Sequence, residues 1–303
     1  MIQGRHTPLD YFFFLRPVLL PPVWTIALLG TIPLHESRLL SASAWSIFFL
    51  HLTALFGGVY TLNQIYDIES DRLNRKLYFL PEGIISLRSA WIFTIVLDIA
   101  ALGLSLVFGW VHLALTLVIV LLGIVYSVGS SPWKNHPWLG LISNAIGHGL
   151  VVFLFGAVIS GRPLSENWIG GLAYTLAVGA VYLATTVPDV EGDSRTGKRT
   201  LAVAWGARAT MIVSGVLVSI VIVLAAWSND RYLAFAGIAA WPFFLRAVLR
   251  PSSATIAAKA AVGALSVAAA VAYPLYVILL LSGFVATRLF SRWRFGVTYP
   301  TFV

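Results

Sequence analysis

The sequence predicts an all-α polytopic membrane protein with nine transmembrane helices packed as a bundle. The first reason is composition: 59 % of the 303 residues are hydrophobic and 11 % are charged, whereas a soluble domain carries about 25 % charged residues. The second reason is that nine apolar segments approach the length of about 20 residues that a helix needs to cross a bilayer. We expect one integral-membrane domain over residues 1–303, with its N-terminal segment retained.

The nine predicted spans follow one another along the whole chain. They cover residues 12–33, 42–63, 87–108, 110–130, 137–160, 167–187, 206–227, 231–249 and 259–285. The first is the least regular because Pro17, Pro21 and Pro22 interrupt it, which membrane helices tolerate where neighbouring groups satisfy the backbone. The link between the third and fourth spans, at Gly109, is so short that these two helices must form an antiparallel hairpin.

The distribution of Lys and Arg predicts the orientation, since cytoplasmic loops carry an excess of both. Nine spans divide the basic residues into fourteen on the N-terminal side and six on the other. The fourteen are Arg5, Arg16, Arg72, Arg75, Lys76, Arg88, Lys134, Arg195, Lys198, Arg199, Arg208, Arg246, Arg250 and Lys259. The six are Arg38, Arg162, Arg231, Arg288, Arg292 and Arg294. We therefore expect a cytoplasmic N-terminus in the cell membrane, and we attribute the net charge of +8 to this bias rather than to nucleic-acid binding.

Two short acidic motifs hold half of the acidic residues. DIESD at 67–71 and DVEGD at 189–193 contain six of the twelve Asp and Glu residues, in the predicted cytoplasmic loops 2–3 and 6–7. Asn63, Asp67 and Asp71 are spaced i, i+4, i+8, and Asp189 and Asp193 repeat the i, i+4 step. Such spacing places these side chains along one helical face, where like charges repel one another. Divalent cations are the simplest compensation, and Mg²⁺ prefers such oxygen ligands.

Basic residues follow both motifs and predict a polyphosphate site. They are Arg72, Arg75 and Lys76 after the first motif, and Arg195, Lys198 and Arg199 after the second. Metal ions bridge phosphate oxygens and neutralise a leaving group, while Arg and Lys add charge-assisted hydrogen bonds. A diphosphate leaving a hydrophobic molecule fits this pattern best. The alternatives are solvated loop charges and a cation-coupled transporter, whose ion sites more often lie near the bilayer midplane.

At these residues the sequence resembles the UbiA superfamily of intramembrane prenyltransferases. Asn63, Asp67 and Asp71 match its Asn-x-x-x-Asp-x-x-x-Asp motif, and Arg72 and Asn74 match the DRxN that follows. DVEGD with GKRTL resembles the second motif, and YSVGSSPWK at 126–134 is similar to a segment after the fourth helix. The segment YFLPEG departs from the usual RPLPSG, because Tyr78 and Phe79 replace a basic residue and a proline.

The resemblance implies a fold and a reaction. Cytoplasmic loops 2–3 and 6–7 would cap a central cavity, and a prenyl group would pass from an isoprenyl diphosphate, through an allylic carbocation, to a lipophilic acceptor amid membrane lipid. The acceptor would be an aromatic quinone precursor or a glyceryl phosphate. Two Mg²⁺ ions would be held by Asn63, Asp67, Asp71, Asp189 and Asp193. Further diphosphate contacts would come from Arg72, Lys198, Tyr126, Ser127 and Lys134.

Three other polar sites have two interpretations each. Asp98 lies within the third span and would contact substrate or form a helix–helix hydrogen bond, since membrane-embedded acids usually face the bundle interior. Asn144 and His148 are four residues apart in the fifth span and would orient the acceptor or tie helices together. Glu191 is expected to be solvated or paired with Arg, or to reach a metal ion or an acceptor proton.

Overall fold

The computed structural model describes residues 7–32, 41–73 and 78–300, and across these ranges the chain is helical without a β-strand. The all-α prediction is confirmed. Asn74, Arg75 and Lys76, which the sequence analysis placed beside the first motif, lie outside the described residues. The same is true of Arg5 and Arg38.

Ten helical segments of the described ranges are long and apolar enough to cross a membrane. In chain order they are α1 (Pro8–Gly30), α2 (Ala42–Tyr66), α3 (Leu87–Phe108), α4 (Trp110–Ser127), α5 (Pro137–Ile159), α6 (Trp168–Thr186), α7 (Ala207–Trp227), α8 (Arg231–Leu249), α9 (Pro251–Ala272) and α10 (Tyr276–Phe295). The first eight coincide with predicted spans to within a few residues. The chain is therefore an integral membrane protein built as a helical bundle.

The predicted count of nine spans is not confirmed, because the segment 259–285 is divided into two helices. Helix α9 ends at Ala272, and α10 begins at Tyr276. Tyr273 leaves the helical conformation at φ −128° and ψ 81°, and the next residue, Pro274, has no backbone N–H to continue a helix. The predicted ninth span ended at residue 285, and the residues beyond it, which include Arg288, Arg292 and Arg294, were not assigned to a span.

Helix α10 runs antiparallel to α1 and contacts it near both ends. Near its start, the Tyr276 hydroxyl lies 2.9 Å from the Thr25 hydroxyl, close to the end of α1. Near its end, the Arg294 guanidinium donates hydrogen bonds of 2.9 and 3.1 Å to the Asp10 carboxylate, in the first turns of α1. These contacts bring the first and last described helices together at both ends.

Two of the spanning segments are irregular. In α1, an α-helix (Pro8–Phe14) is followed by a 3-10 turn (Pro17–Leu19) and a second α-helix (Leu20–Gly30). In α5, the stretch Ala145–Val151 is a π-helix between two α-helical parts. Both irregular stretches contain residues that line the central cavity described below.

Small residues allow α1 and α5 to pack closely. A Cβ on Gly30 would overlap the Phe153 carbonyl oxygen, and a Cβ on Gly156 would overlap the Ala27 carbonyl oxygen. Such close backbone approach at small residues is a usual source of helix association in membranes, where the hydrophobic effect does not drive helices together.

The loops that carry the acidic motifs contain short helices. They are Ile68–Leu73 in the α2–α3 loop and Val190–Arg195 and Leu201–Trp205 in the α6–α7 loop. The α4–α5 loop reaches the same end of the bundle, since the Arg199 backbone N–H donates to the Asn135 carbonyl over 3.1 Å. This end of the bundle therefore collects the motifs from three loops.

The two aromatic residues that depart from the family pattern pack against α10. Tyr78 and Phe79 have ring centroids 5.2 and 5.3 Å from that of Phe295. Phe79 also lies 6.2 Å from Phe290, whose ring stacks on Phe13 of α1 at 3.9 Å. In the described residues, both rings of this part of the loop therefore pack against α10.

Candidate active site

The first acidic motif keeps helical spacing through the end of α2. The backbone N–H of Asp67 donates to the Asn63 carbonyl over 3.0 Å, and the Asp71 N–H donates to the Asp67 carbonyl over 2.7 Å. These i to i−4 bonds keep the predicted backbone steps of the motif, although Asp67, which caps the end of α2, leaves the helical conformation at φ −105° and ψ 9°. The metal-binding role of the three side chains stays a prediction.

The second motif is built in the same way. Asp189 precedes the short helix Val190–Arg195, and the Asp193 N–H donates to the Asp189 carbonyl over 2.8 Å. The chain then turns, and the Lys198 N–H donates to the Asp193 carbonyl over 2.9 Å. This turn directs Lys198 towards the first motif.

Two ammonium groups converge on Asp67. Lys134 Nζ lies 2.9 Å and Lys198 Nζ lies 3.3 Å from the same carboxylate atom, Oδ1. The Lys134 side chain is 7 % exposed and that of Asp67 is 14 % exposed, so water screens this contact weakly. Burial lowers the pKa of Lys134, and the Asp67 carboxylate opposes that effect by favouring the ammonium form. The site joins the α4–α5 and α6–α7 loops to the end of α2.

A layer of neutral polar side chains lies beside these charges. The Asn63 amide donates to the Ser127 hydroxyl over 3.4 Å. The Tyr126 hydroxyl interacts with the side chains of Asn144 and Tyr182, and it is within electrostatic range of both Asp67 and Asp193. The two motifs therefore face one another across the end of the bundle. Tyr126 lies between them.

A largely apolar cavity of about 440 Å³ extends from this layer into the bundle. Asn63, Tyr126, Asn144 and Tyr182 line its polar end. Side chains from α1, α2, α4, α5, α6, α7, α8 and α9 form the rest of the wall, including Phe56, Ile119, Val178, Val221, Phe244 and Leu265. An elongated apolar molecule with one charged end matches this division of the cavity.

Some residues that the sequence suggested for the site contact groups away from the charged end of the cavity. The exposed Arg72 side chain donates to the Pro81 carbonyl over 3.2 Å, and Arg195 pairs with Glu191 on the exposed surface. Asp98 lies in α3 against Gly58 of α2, where its Oδ1 would overlap an added Cβ. Within the described ranges, no group of three His, Cys, Asp or Glu side chains is close enough to hold a metal ion by itself.

The donor set nevertheless fits magnesium bound together with a phosphate. Asp67 already attracts two cationic groups to one oxygen atom, and Asn63, Asp71 and Asp193 add oxygen donors near the same end of the cavity. Mg²⁺ usually takes only one or two carboxylates, with water and substrate phosphate completing its six ligands. Each motif can supply that number without a cluster of three acidic side chains.

Comparison with known proteins decides the family. The model of the UbiA prenyltransferase family matches residues 19–262, which is most of the chain. The chain belongs to the UbiA prenyltransferase family. The resemblance found in the sequence is confirmed, and the UbiA match ends before α10 begins at Tyr276.

Two curated relatives of this UbiA chain have names that refer to different kinds of molecule. A hop (Humulus lupulus) 2-acyl-4-prenylphloroglucinol 6-prenyltransferase is 34 % identical over 162 residues, covering 50 % of this chain and 40 % of the relative. A digeranylgeranylglyceryl phosphate synthase from Sulfolobus acidocaldarius is 30 % identical over 190 residues, covering 60 % of this chain and 66 % of the relative. The chain thus matches less than two thirds of the length of either relative.

Solved structures confirm the UbiA fold. A UbiA homologue from Archaeoglobus fulgidus, bound to GPP and Mg²⁺, aligns with a TM-score of 0.72 over 92 % of this chain and 99 % of its own, at 20 % identity. A digeranylgeranylglyceryl phosphate synthase structure aligns with a TM-score of 0.64 over 86 % of this chain, at 22 % identity. At this level of identity the likeness shows the architecture.

Two residues that line the cavity of this UbiA protein, Tyr60 and Tyr182, were not singled out from the sequence, and a third, Arg16, was given no role in the site. Tyr60 precedes Asn63 by three residues and Tyr182 precedes Asp189 by seven, so helical spacing would have placed both on the motif faces. Arg16 follows the short first helix and has a left-handed backbone, with φ at 57°. No periodicity indicates such a residue.

Proposed function

We propose that this chain is an Mg²⁺-dependent prenyltransferase that moves a prenyl group from an isoprenyl diphosphate to a lipophilic acceptor. The observation that carries the proposal is the convergence of Lys134 and Lys198 on Asp67 at the mouth of a mainly apolar cavity. A charged end for diphosphate and an apolar wall for the isoprenoid tail are what such a substrate requires. The A. fulgidus homologue bound to GPP and Mg²⁺ supports the same pairing.

The diphosphate end would be bound by the two motifs and their neighbours. Asn63, Asp67, Asp71, Asp189 and Asp193 would hold the metal, in our proposal as two ions. Bound Mg²⁺ would neutralise the charge that develops on the leaving diphosphate. Lys134 and Lys198 would leave Asp67 for the phosphate oxygens, and Tyr126 and Ser127 would add hydrogen bonds to them. Arg72 would contact the diphosphate only after leaving the Pro81 carbonyl.

The reaction would then proceed in the apolar part of the cavity. The C1–O bond breaks with its electron pair leaving on the diphosphate, so the prenyl group becomes an allylic cation. Aromatic faces stabilise a cation that lies over them, and Phe56, Tyr60, Tyr126 and Phe244 belong to the wall. Exclusion of water by the apolar lining would protect the cation until the acceptor attacks C1 and loses a proton.

The acceptor is either an aromatic quinone precursor or a glyceryl phosphate lipid. The name of the hop relative refers to a prenylphloroglucinol, which is aromatic, and the name of the Sulfolobus relative refers to a glyceryl phosphate lipid. Both acceptor classes are lipid-soluble or amphipathic and could reach the cavity from the surrounding membrane.

We further propose that the motifs lie on the cytoplasmic side of the cell membrane, as part of one domain. With ten crossings, Arg288, Arg292 and Arg294 move to the N-terminal side. The basic residues then divide into seventeen against three, with Arg38, Arg162 and Arg231 on the other side. With ten spans, the excess of Lys and Arg on the side predicted to be cytoplasmic is therefore larger than with nine.

A transfer assay in lipid vesicles tests the proposal. Purified protein would receive geranylgeranyl diphosphate with either homogentisate or geranylgeranylglyceryl phosphate, and prenylated product would be measured with Mg²⁺ and with EDTA. We expect product with one acceptor in Mg²⁺ and none in EDTA. Asp67→Asn and Asp193→Asn should lose about 100-fold in activity, because loss of even a hydrogen-bond partner of a metal ligand costs about 10- to 100-fold. Coupled cation uptake without any prenylated product would instead favour a transporter and would overturn the proposal.

A further inference from the structure

A second polar patch lies in the cavity wall, deeper than the charged end. Tyr60 of α2 and His148 of α5 face one another there, with the Tyr60 hydroxyl 3.3 Å from His148 Nε2. Their rings are nearly parallel, with centroids 6.0 Å apart, and the Phe56 ring lies 5.0 Å from that of His148. All three side chains line the cavity.

Buried polar atoms in this patch lack complete hydrogen bonding. His148 Nδ1 and Arg16 Nε are buried without a hydrogen-bond partner among the described residues, although the Asn144 carbonyl interacts with His148. Arg16 also lines the cavity and acts electrostatically on the Tyr60 hydroxyl. Because almost all buried polar groups in folded proteins are paired, unpaired ones in a cavity wall indicate a ligand that completes them.

The backbone is shaped to present His148 to the cavity. His148 lies within the π-helix Ala145–Val151, and such wide turns are rare and frequently occur at functional sites. The next residue, Gly149, packs so closely on α6 that an added Cβ would lie 2.6 Å from the Thr175 Cα. Close packing behind the π-helix holds its other face towards the cavity.

The position of the patch separates it from the diphosphate. Tyr60 precedes Asp67 by seven residues in α2, which corresponds to about 10 Å along a helix. His148 lies one turn beyond Asn144, whose side chain belongs to the Tyr126 layer. A phosphate held at Asp67 cannot also contact the patch, whereas a molecule approaching the prenyl C1 from within the cavity can.

We propose that Tyr60 and His148, with Arg16 beside them, bind an oxygen-bearing head group of the acceptor and orient it towards the prenyl C1. To donate to that oxygen, the Tyr60 hydroxyl turns from the Leu19 carbonyl, to which it donates over 3.3 Å in the structure. The Arg16 guanidinium donates beside it, while the His148 imidazole accepts from a hydroxyl or donates to an oxyanion. A phenolic hydroxyl and a glyceryl phosphate both offer this chemistry. The proposal rests on the prenyltransferase function, and it adds the residues that select the second substrate.

Two shape-conserving variants test the assignment. Tyr60→Phe removes one hydroxyl and His148→Phe removes both ring nitrogens, while each keeps an aromatic ring in the wall. Tyr66→Phe is the matched control, because Tyr66 lies in the same helix but is exposed and outside the cavity lining. For each variant we would measure Mg²⁺-dependent binding of geranylgeranyl diphosphate, and the KM for homogentisate and for geranylgeranylglyceryl phosphate.

We expect diphosphate binding to stay within about twofold of the parent, and the acceptor KM to rise about tenfold, the effect of one lost hydrogen bond. The control should change neither. The acceptor whose KM rises identifies the source of the oxygen. An unchanged KM in both variants, loss of diphosphate binding in either, or turnover of neither acceptor would overturn the assignment. Failure of the parent protein to bind geranylgeranyl diphosphate would instead contradict the prenyltransferase function.

Discussion

The Lys134 ammonium lies 2.9 Å from Asp67 Oδ1, although 67 positions separate the two residues in the chain. This pair places a cation from the α4–α5 loop on a carboxylate at the end of α2. In our account the same ammonium group moves from Asp67 to the substrate phosphate. Lys134 should therefore be needed for substrate binding rather than for the fold alone.

Substitution of Lys134 should separate these roles. We expect Lys134→Met to weaken geranylgeranyl diphosphate binding by about 10- to 100-fold, since a charge-assisted hydrogen bond contributes about 1.5–3 kcal/mol. Lys134→Arg should retain a large part of the affinity because it keeps the charge. Titration calorimetry in detergent with Mg²⁺ would measure both affinities. Equal affinities for the parent and Lys134→Met would contradict the role given to this residue.

The buried ion pair between Asp10 and Arg294 should stabilise the packing of α10 on α1. The Asp10 side chain is fully buried, and breaking a buried pair costs about 3–5 kcal/mol because one charge remains unpaired. We expect Arg294→Gln to lower the thermal midpoint in detergent by several degrees. Arg292→Gln, at an exposed position in the same turn, is the control and should leave the midpoint unchanged. If the two variants melted alike, α10 would not depend on this pair.

Because α1 packs closely on α5, one methyl group added at Gly156 should lower the stability of the protein. Gly156→Ala would push its Cβ into the Ala27 carbonyl, and overpacking of this kind costs about 1–3 kcal/mol. Gly263→Ala in α9 meets open space within 4 Å, so it should be neutral or slightly stabilising because alanine favours helix. Thermal midpoints of both variants check the prediction, and a tolerated Gly156→Ala would show that the helices can separate at little cost.

The tenth helix predicts that the C-terminal end lies on the same side of the membrane as the acidic motifs. The chain has no cysteine, so single-cysteine variants can be labelled without background. Glu82→Cys and Thr298→Cys should react with an impermeant maleimide from one side, and Ser228→Cys from the other. Labelling of Thr298→Cys together with Ser228→Cys would restore an odd number of crossings.

Local sequence patterns were sufficient for most of the architecture. Each of the first eight helices was predicted because its apolar run is long and ends at polar residues. The division at Pro274 was missed because Arg288, Arg292 and Arg294 made the last helix look like a tail. The charge of Arg294 hides the helix in the sequence. That charge is neutralised by the buried Asp10, which lies 284 positions away in the chain and which no local pattern indicates.

The candidate site was only partly predictable, for a similar reason. The carboxylate stripes follow from i, i+4 spacing, which the sequence displays directly. The convergence of Lys134 and Lys198 on one atom of Asp67 depends on how three loops meet, and no local pattern encodes it. The roles given to Tyr60 and Arg16 depend on the cavity, because the sequence does not show which groups they face.

The most direct test of the central claim is the binding of geranylgeranyl diphosphate to the purified protein in detergent, with Mg²⁺ and then with EDTA. Our account predicts Mg²⁺-dependent binding that Asp67→Asn abolishes and Tyr66→Phe preserves. Binding that is indifferent to Mg²⁺, or undiminished in Asp67→Asn, would contradict the assignment of the paired acidic motifs to a metal-bound diphosphate.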